Sequence, residues 1–153
     1  MNKDLGLLVL RLTLGLTMAI GHGIPKMAML SQGTSVQFAD PIGVGPFASL
    51  LLIVFAEVFA ALFVAAGLFT RLSGIIVGTG LLVAAFVIHG ANTFYPQFMP
   101  GPSVDVPTVM APFQEYAFIY GMGFYSIAIM GAGKFSIDSF ISRKGFIGRI
   151  VFG

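Results

Sequence analysis

Four long apolar segments dominate this chain of 153 residues. They lie at approximately residues 5–30, 46–69, 72–90 and 110–132, and each is long enough to cross a bilayer as a helix. Apolar residues make up 57% of the chain and charged residues only 9%, which is far from the composition of a soluble domain. The sequence therefore predicts an all-α polytopic membrane four-helix bundle over residues 1–134. We expect the lipid bilayer as its surroundings and no nucleic acid as a partner.

Positive charge is distributed unevenly between the ends of these segments. If the chain starts in the cytoplasm, only Lys26 lies near the outer surface. Because cytoplasmic loops of membrane proteins are rich in lysine and arginine, we predict that both termini are cytoplasmic and that the membrane is a bacterial-type cytoplasmic (inner) membrane. Residues 135–153 alternate apolar and basic side chains, which is typical of an amphipathic interfacial tail. The cations placed on the cytoplasmic side are Lys3, Arg71, Lys134, Arg143, Lys144 and Arg149.

Five ionisable side chains interrupt the apolar segments: Arg11, His22, Glu57, His89 and Glu115. Such residues are costly in a membrane, so they must face one another or a wet cavity. At a helical rise of about 1.5 Å per residue, the two histidines and Glu115 fall at a similar height in the outer half of the bundle. This coincidence of depth predicts that the polar groups of different helices meet there.

Two interpretations fit such a cluster. In a redox site, a histidine donates a hydrogen bond to a quinone carbonyl, and a carboxyl group handles the accompanying proton. His22, His89 and Lys26 are then the ligand-binding candidates, and Glu57 and Glu115 are the catalytic ones. In the alternative, the same groups form a satisfied network that only fixes helix packing.

Arg11 and Glu57 are predicted to form a structural ion pair between the first two segments, since an unpaired charge in hydrocarbon is much worse than a paired one. A protonated Glu57 without that partner is the alternative. We expect no metal site and no covalently bound cofactor. Haem held by His22 and His89 is less favoured than quinone, because Glu115 would be an unusual neighbour of the iron.

The order of these residues resembles the DoxX family of small four-helix membrane proteins. The resemblance is carried by residues 10–12 with Gly15, by His22-Gly23 and Lys26, by Glu57 and residues 67–71, and by His89, Glu115 and residues 131–138. It implies association with membrane redox complexes, including thiosulfate:quinone oxidoreductase. The long proline-rich stretch before the fourth segment departs from the commoner pattern.

From the residues and the resemblance together, we expect a subunit of a quinone-linked membrane redox system that binds a quinone or other apolar ligand. The alternative is a non-catalytic assembly or scaffold subunit. The sequence has no glycine-rich nucleotide-binding loop, so a catalytic cycle would need other membrane or peripheral redox subunits. A homo-oligomer is also compatible with the sequence.

Overall fold

The computed structural model describes residues 3–88, 97–99, 108–110 and 113–142. The regular secondary structure of these residues is helical, apart from one antiparallel ribbon in which β1 (Gln97–Met99) pairs with β2 (Thr108–Met110). The predicted helical fold class is therefore confirmed, with a short ribbon that the sequence analysis did not anticipate. The helices are α1 (Lys3–Met18), α2 (Ile24–Met29), α3 (Pro46–Val54), α4 (Ala61–Ala66), α5 (Thr70–Val83), α6 (Phe113–Met130) and α7 (Ile137–Ser142).

Most of these helices join into three longer runs through π-helical turns. The first span (Lys3–Ser35) contains α1, α2 and a terminal 3₁₀ turn, the second span (Pro46–Ala66) contains α3 and α4, and the third span (Thr70–Ile88) contains α5. Their mean hydropathies of 1.6, 2.6 and 2.0 make each of them apolar enough to cross a membrane. The protein is therefore an integral membrane protein.

A tight turn joins the second span to the third. The second span ends at Ala66, and Gly67 adopts a left-handed conformation with φ of 71°, which only glycine adopts without steric cost. The third span starts at Thr70, so only three residues separate the two helices. The two spans therefore pack against each other as antiparallel neighbours.

The core lies where the first, second and third spans meet α6. Helices α5 and α6 share the most extensive interface of the molecule. There, a Cβ added to Gly74 would lie 2.9 Å from the carbonyl oxygen of Phe124, so the two backbones can approach this closely only without a side chain. The buried apolar residues of the main cluster are Met18, Ala19, Ala60, Ala61, Val64, Val77, Leu81, Phe124 and Ile127.

The end of α6 lies beside the start of α1. The backbone N–H of Lys134, just after α6, donates to Oδ1 of Asp4 in the first turn of α1, over 3.1 Å. The start of the first span and the end of α6 therefore lie at the same end of the bundle, which we call the basal end.

Candidate functional site

A buried ion pair joins the first and second spans. Glu57 is only 2% exposed, and the ammonium group of Lys26 donates to both of its carboxylate oxygens, at 2.6 Å from Oε1. The Lys26 side chain keeps 27% of its surface exposed. Its ammonium group contacts the buried Glu57 carboxylate, because a charge inside an apolar bundle needs a counter-charge, while its apolar stem remains partly exposed.

Close packing of the helices beside the pair explains how Lys26 reaches Glu57. A Cβ added to Gly23 would lie 2.9 Å from the carbonyl oxygen of Glu57, so the two backbones nearly touch at this point. Lys26 follows Gly23 by about one helical turn, and its long side chain can span the remaining distance. The glycine thus positions the ion pair without taking part in it.

The pair lies beside unusual helical geometry. Glu57 belongs to the π-helical turn Phe55–Ala60, and His22 belongs to the π-helical turn Ala19–Gly23, which packs against it. A third π-helical turn, Ala84–Ile88, ends one residue before His89 in the sequence. Such turns are rare and occur frequently at functional sites, because the extra residue changes the direction of the following side chains.

His22 is exposed on the first span and lies edge-on to the ring of Tyr120 on α6, with centroids 6.2 Å apart and an interplanar angle of 62°. Glu115 is half-buried in the first turn of α6, five residues before Tyr120 and so about 7 Å away along the helix axis. His89 lies outside the described residues. The predicted meeting of His22, His89 and Glu115 at one depth therefore stays a prediction.

The predicted Arg11–Glu57 pair is wrong. Glu57 binds Lys26 instead, and Arg11 turns toward the basal end, where its Nη2 donates to the carbonyl oxygen of Phe135 over 2.5 Å. The physical reason is reach: Arg11 lies more than two helical turns from the level of Glu57, whereas the close approach at Gly23 brings Lys26 beside it.

Arg11 belongs to a second polar cluster that the sequence analysis did not identify as one. Its guanidinium group is fully buried against Gly67, where any Cβ would overlap Nη1. Asp138, which is 4% exposed, accepts from the backbone N–H groups of Phe69 and Thr70 at 2.8 and 2.9 Å, and its own N–H donates to the carbonyl of Gly67. We call Arg11, Gly67, Phe135 and Asp138 the basal clasp.

The basal clasp ties together three distant parts of the chain. It joins α1, the turn after the second span and the segment after α6, and its opposite charges on Arg11 and Asp138 lie close enough to attract each other. Residues 67–71 and 131–138 were both among the residues that carry the resemblance to the DoxX family. This was the sequence signal that could have pointed to the cluster. The pattern did not show that the two segments touch.

The polar groups of the described residues are few and lie mostly in pairs. Among them there is no group of three or more histidine, cysteine or acidic side chains that could hold a metal ion. What they offer is an ammonium–carboxylate pair, an exposed imidazole and a tyrosine ring within a mostly apolar bundle.

A comparison with protein families extends these observations. The DoxX family model matches residues 6–90, which is more than half of the chain. The protein belongs to the DoxX family. The matched region of this DoxX protein contains His22, Lys26, Glu57 and Arg11, and it ends before α6. Comparisons with curated proteins and with solved structures find no match.

Proposed function

We propose that this DoxX protein is a membrane subunit of a redox system and binds a quinone or another apolar ligand beside the Lys26–Glu57 pair. The observation that carries the proposal is this buried pair: Glu57 lies on a π-helical turn of an apolar span, and the exposed imidazole of His22 lies on the adjoining π-helical turn. Intramembrane ionisable groups are functional candidates by default because they are expensive to maintain.

In this proposal each residue has a separate task. The imidazole of His22 donates a hydrogen bond to a ligand carbonyl, and Lys26 and Glu57 supply and collect protons at the same depth. His89 is a further ligand contact and Glu115 a second proton-handling carboxyl. The electrons come from another membrane or peripheral subunit, because the chain has no nucleotide-binding loop.

The test is mass spectrometry of small molecules that copurify with the mildly extracted protein, together with absorption spectra. We compare wild type with His22→Ala, Lys26→Met, Glu57→Gln and Glu115→Ala. Ser31→Ala is the control, since its exposed hydroxyl group donates to the nearby carbonyl of Ala28. A stoichiometric quinone that is lost in the site variants and retained in the control is the expected result. Wild type without any specific small molecule contradicts the proposal.

A scaffold function is the second candidate, and the basal clasp favours it. The clasp joins three parts of the chain through buried hydrogen bonds, and the Lys26–Glu57 pair satisfies its own charges. Under this alternative, the four site variants lower thermal stability without changing any bound molecule. The protein would then serve as an assembly subunit for other redox proteins or for a homo-oligomer.

We also propose a four-span topology with both termini in the cytoplasm of a bacterial-type cell. Helix α6 has 18 residues and packs against α1 and α5, which suits a fourth span. The basal end carries Lys3, Arg71 and Lys134, a distribution expected for the cytoplasmic side. In this arrangement residues 1–134 form the bundle and residues 135–153 an interfacial tail, of which the described part exposes Phe135 and Phe140.

A further inference from the structure

A groove of about 480 Å³ opens at the basal end, between the start of α1 and the end of α6. The groove and the Lys26–Glu57 pair lie toward opposite ends of the bundle, because most of the first span separates Lys3 from Lys26. Its volume is within the range of roughly 300–1,000 Å³ that is usual for small-molecule sites. The lining residues are Lys3, Asp4, Gly6, Leu7, Leu10, Met130 and Gly133.

The lining changes from charged to apolar along the groove. Lys3 and Asp4 lie at the start of the first span, while Leu7 and Leu10 lie deeper. Lys3 and Leu10 are about 10 Å apart along the helix axis. A lipid changes from its phosphate to its hydrocarbon chains over a similar depth, so the groove follows the polarity profile of one membrane leaflet.

The charges at the mouth of the groove favour an anion. Lys134 lies with its Nζ 3.8 Å from Oδ2 of Asp4, and its side chain remains 71% exposed. Within the described residues, Lys3 forms no ion pair. The carboxylate of Asp4 thus has Lys134 as a counter-charge, and the ammonium group of Lys3 adds a further positive charge at the mouth of the groove.

We propose that this groove binds one anionic phospholipid of the surrounding leaflet. The phosphate lies between the ammonium groups of Lys3 and Lys134, and one acyl chain lies against Leu7, Leu10 and Met130. A phospholipid fits better than a soluble anion because Leu7 and Leu10 of the groove lie on an apolar span that also exposes Leu5 and Val9, by 52% and 56%. Basic residues at a membrane surface attract anionic lipids in the same way.

Gly6 provides a sharp test of this site. A Cβ added there meets no atom within 4 Å, so Gly6→Leu can place apolar bulk in the groove, and it replaces a weak helix former by a strong one. The double variant Lys3→Gln/Lys134→Gln removes the phosphate contacts and leaves the apolar floor intact. Thr13→Leu is the control, because it adds apolar bulk to an exposed position of α1 outside the groove.

The measurement is native mass spectrometry of each variant after release from nanodiscs of phosphatidylglycerol and phosphatidylcholine in equal amounts. We expect wild type and Thr13→Leu to retain one phosphatidylglycerol. Gly6→Leu and the double lysine variant should retain at least fivefold less. Equal retention in all four proteins, or equal retention of the two lipids by wild type, would overturn the proposal. Thermal unfolding of Gly6→Leu at or above the wild-type temperature shows that a loss of lipid does not reflect misfolding.

Discussion

At the residue scale, the partner of each buried charge decides how this bundle is held together. Glu57 and Arg11 are both almost completely buried, yet they lie in separate clusters and each has a different counter-charge. Removing one member of such a pair is more harmful than removing both, because the remaining charge is left without compensation. The two clusters can therefore be tested independently.

We predict that Lys26→Met destabilises the protein by roughly 3–5 kcal/mol, since it leaves the buried Glu57 carboxylate unpaired. The double variant Lys26→Met/Glu57→Gln should recover most of this loss. Thermal unfolding in detergent of wild type, both single variants and the double variant measures the coupling between the two residues. Additive effects of the two substitutions would show that the ion pair contributes nothing to stability.

Gly67 provides a second prediction at this scale. Gly67→Ala should destabilise the protein by more than the 1–2 kcal/mol that a left-handed conformation typically costs, because the added methyl group also overlaps the guanidinium group of Arg11. Gly6→Ala is the matched control: it lies in open space within α1 and should be neutral or stabilising. Similar unfolding temperatures for the two variants would contradict this account of the clasp.

At the scale of elements, short segments outside the spans fix the ends of the long helices. Asp138 caps the start of α5 from the segment after α6, and Asp40 does the same for the start of α3 from the connection before it. Oδ1 of Asp40 accepts from the hydroxyl group of Ser49 at 2.7 Å, and Oδ2 accepts from the N–H of Gly45 at 2.8 Å. Both carboxylates supply acceptors to groups that a helix start leaves unpaired.

Loss of the Asp138 cap should release the segment after α6. We predict that Asp138→Ala lowers stability by about 2 kcal/mol or more, because it removes two cap hydrogen bonds and the counter-charge of Arg11. Hydrogen exchange at residues 131–142 should become faster than in Ser139→Ala, a neighbouring substitution that leaves the cap intact. Unchanged exchange in Asp138→Ala would mean that other contacts hold this segment.

Asp40 should make stability depend on pH. The hydrogen bond from Ser49, followed by those from backbone N–H groups, lowers the pKa of Asp40 below its ordinary value. A depressed folded-state pKa contributes stability above the unfolded-state pKa, and this contribution is lost as the pH falls through the folded-state value. Asp40→Asn should therefore lower the unfolding temperature at pH 7 and have a smaller effect near pH 3. An equal effect at both pH values would contradict this linkage.

At the scale of the whole molecule, the bundle has two chemically different ends. The basal end gathers the clasp, the groove and most of the described basic side chains, while Lys26 is directed toward Glu57 in the opposite half. The hydrogen bond from Lys134 to Asp4 places the end of α6 beside the start of α1. Under the proposed topology, this end of the bundle faces the cytoplasm.

Because the sequence contains no cysteine, single cysteines report topology without background labelling. We predict that Lys134→Cys reacts with a membrane-impermeant maleimide only after the cells are opened, whereas Gln32→Cys, exposed at the other end of the first span, reacts in intact cells. The reverse pattern would contradict the cytoplasmic placement of the basal end. Labelling of both cysteines in intact cells would contradict the placement of these two positions on opposite sides.

The sequence by itself determined that the protein lies in a membrane, that it is helical and that it has the pattern of its family. The length of the apolar segments and the spacing of residues within them are local properties of a chain. The predicted segments at residues 46–69 and 72–90 also leave only Thr70 and Arg71 between the second and third spans. Lys26 and Glu57 were both recognised as candidates. Their side chains were assigned to different tasks, since sequence position gives height along a helix and not the direction of approach.

Only the tertiary structure decided which charges pair. The choice of Lys26 for Glu57 depends on the close approach at Gly23, and the choice of Phe135 and Asp138 for Arg11 depends on a segment more than a hundred residues away. The π-helical turns that surround His22 and Glu57 are equally invisible in the hydrophobic pattern. Hydrogen-bonded ion pairs need contact, and Coulomb attraction grows as two charges approach, so the partners are set by packing between helices and not by order along the chain.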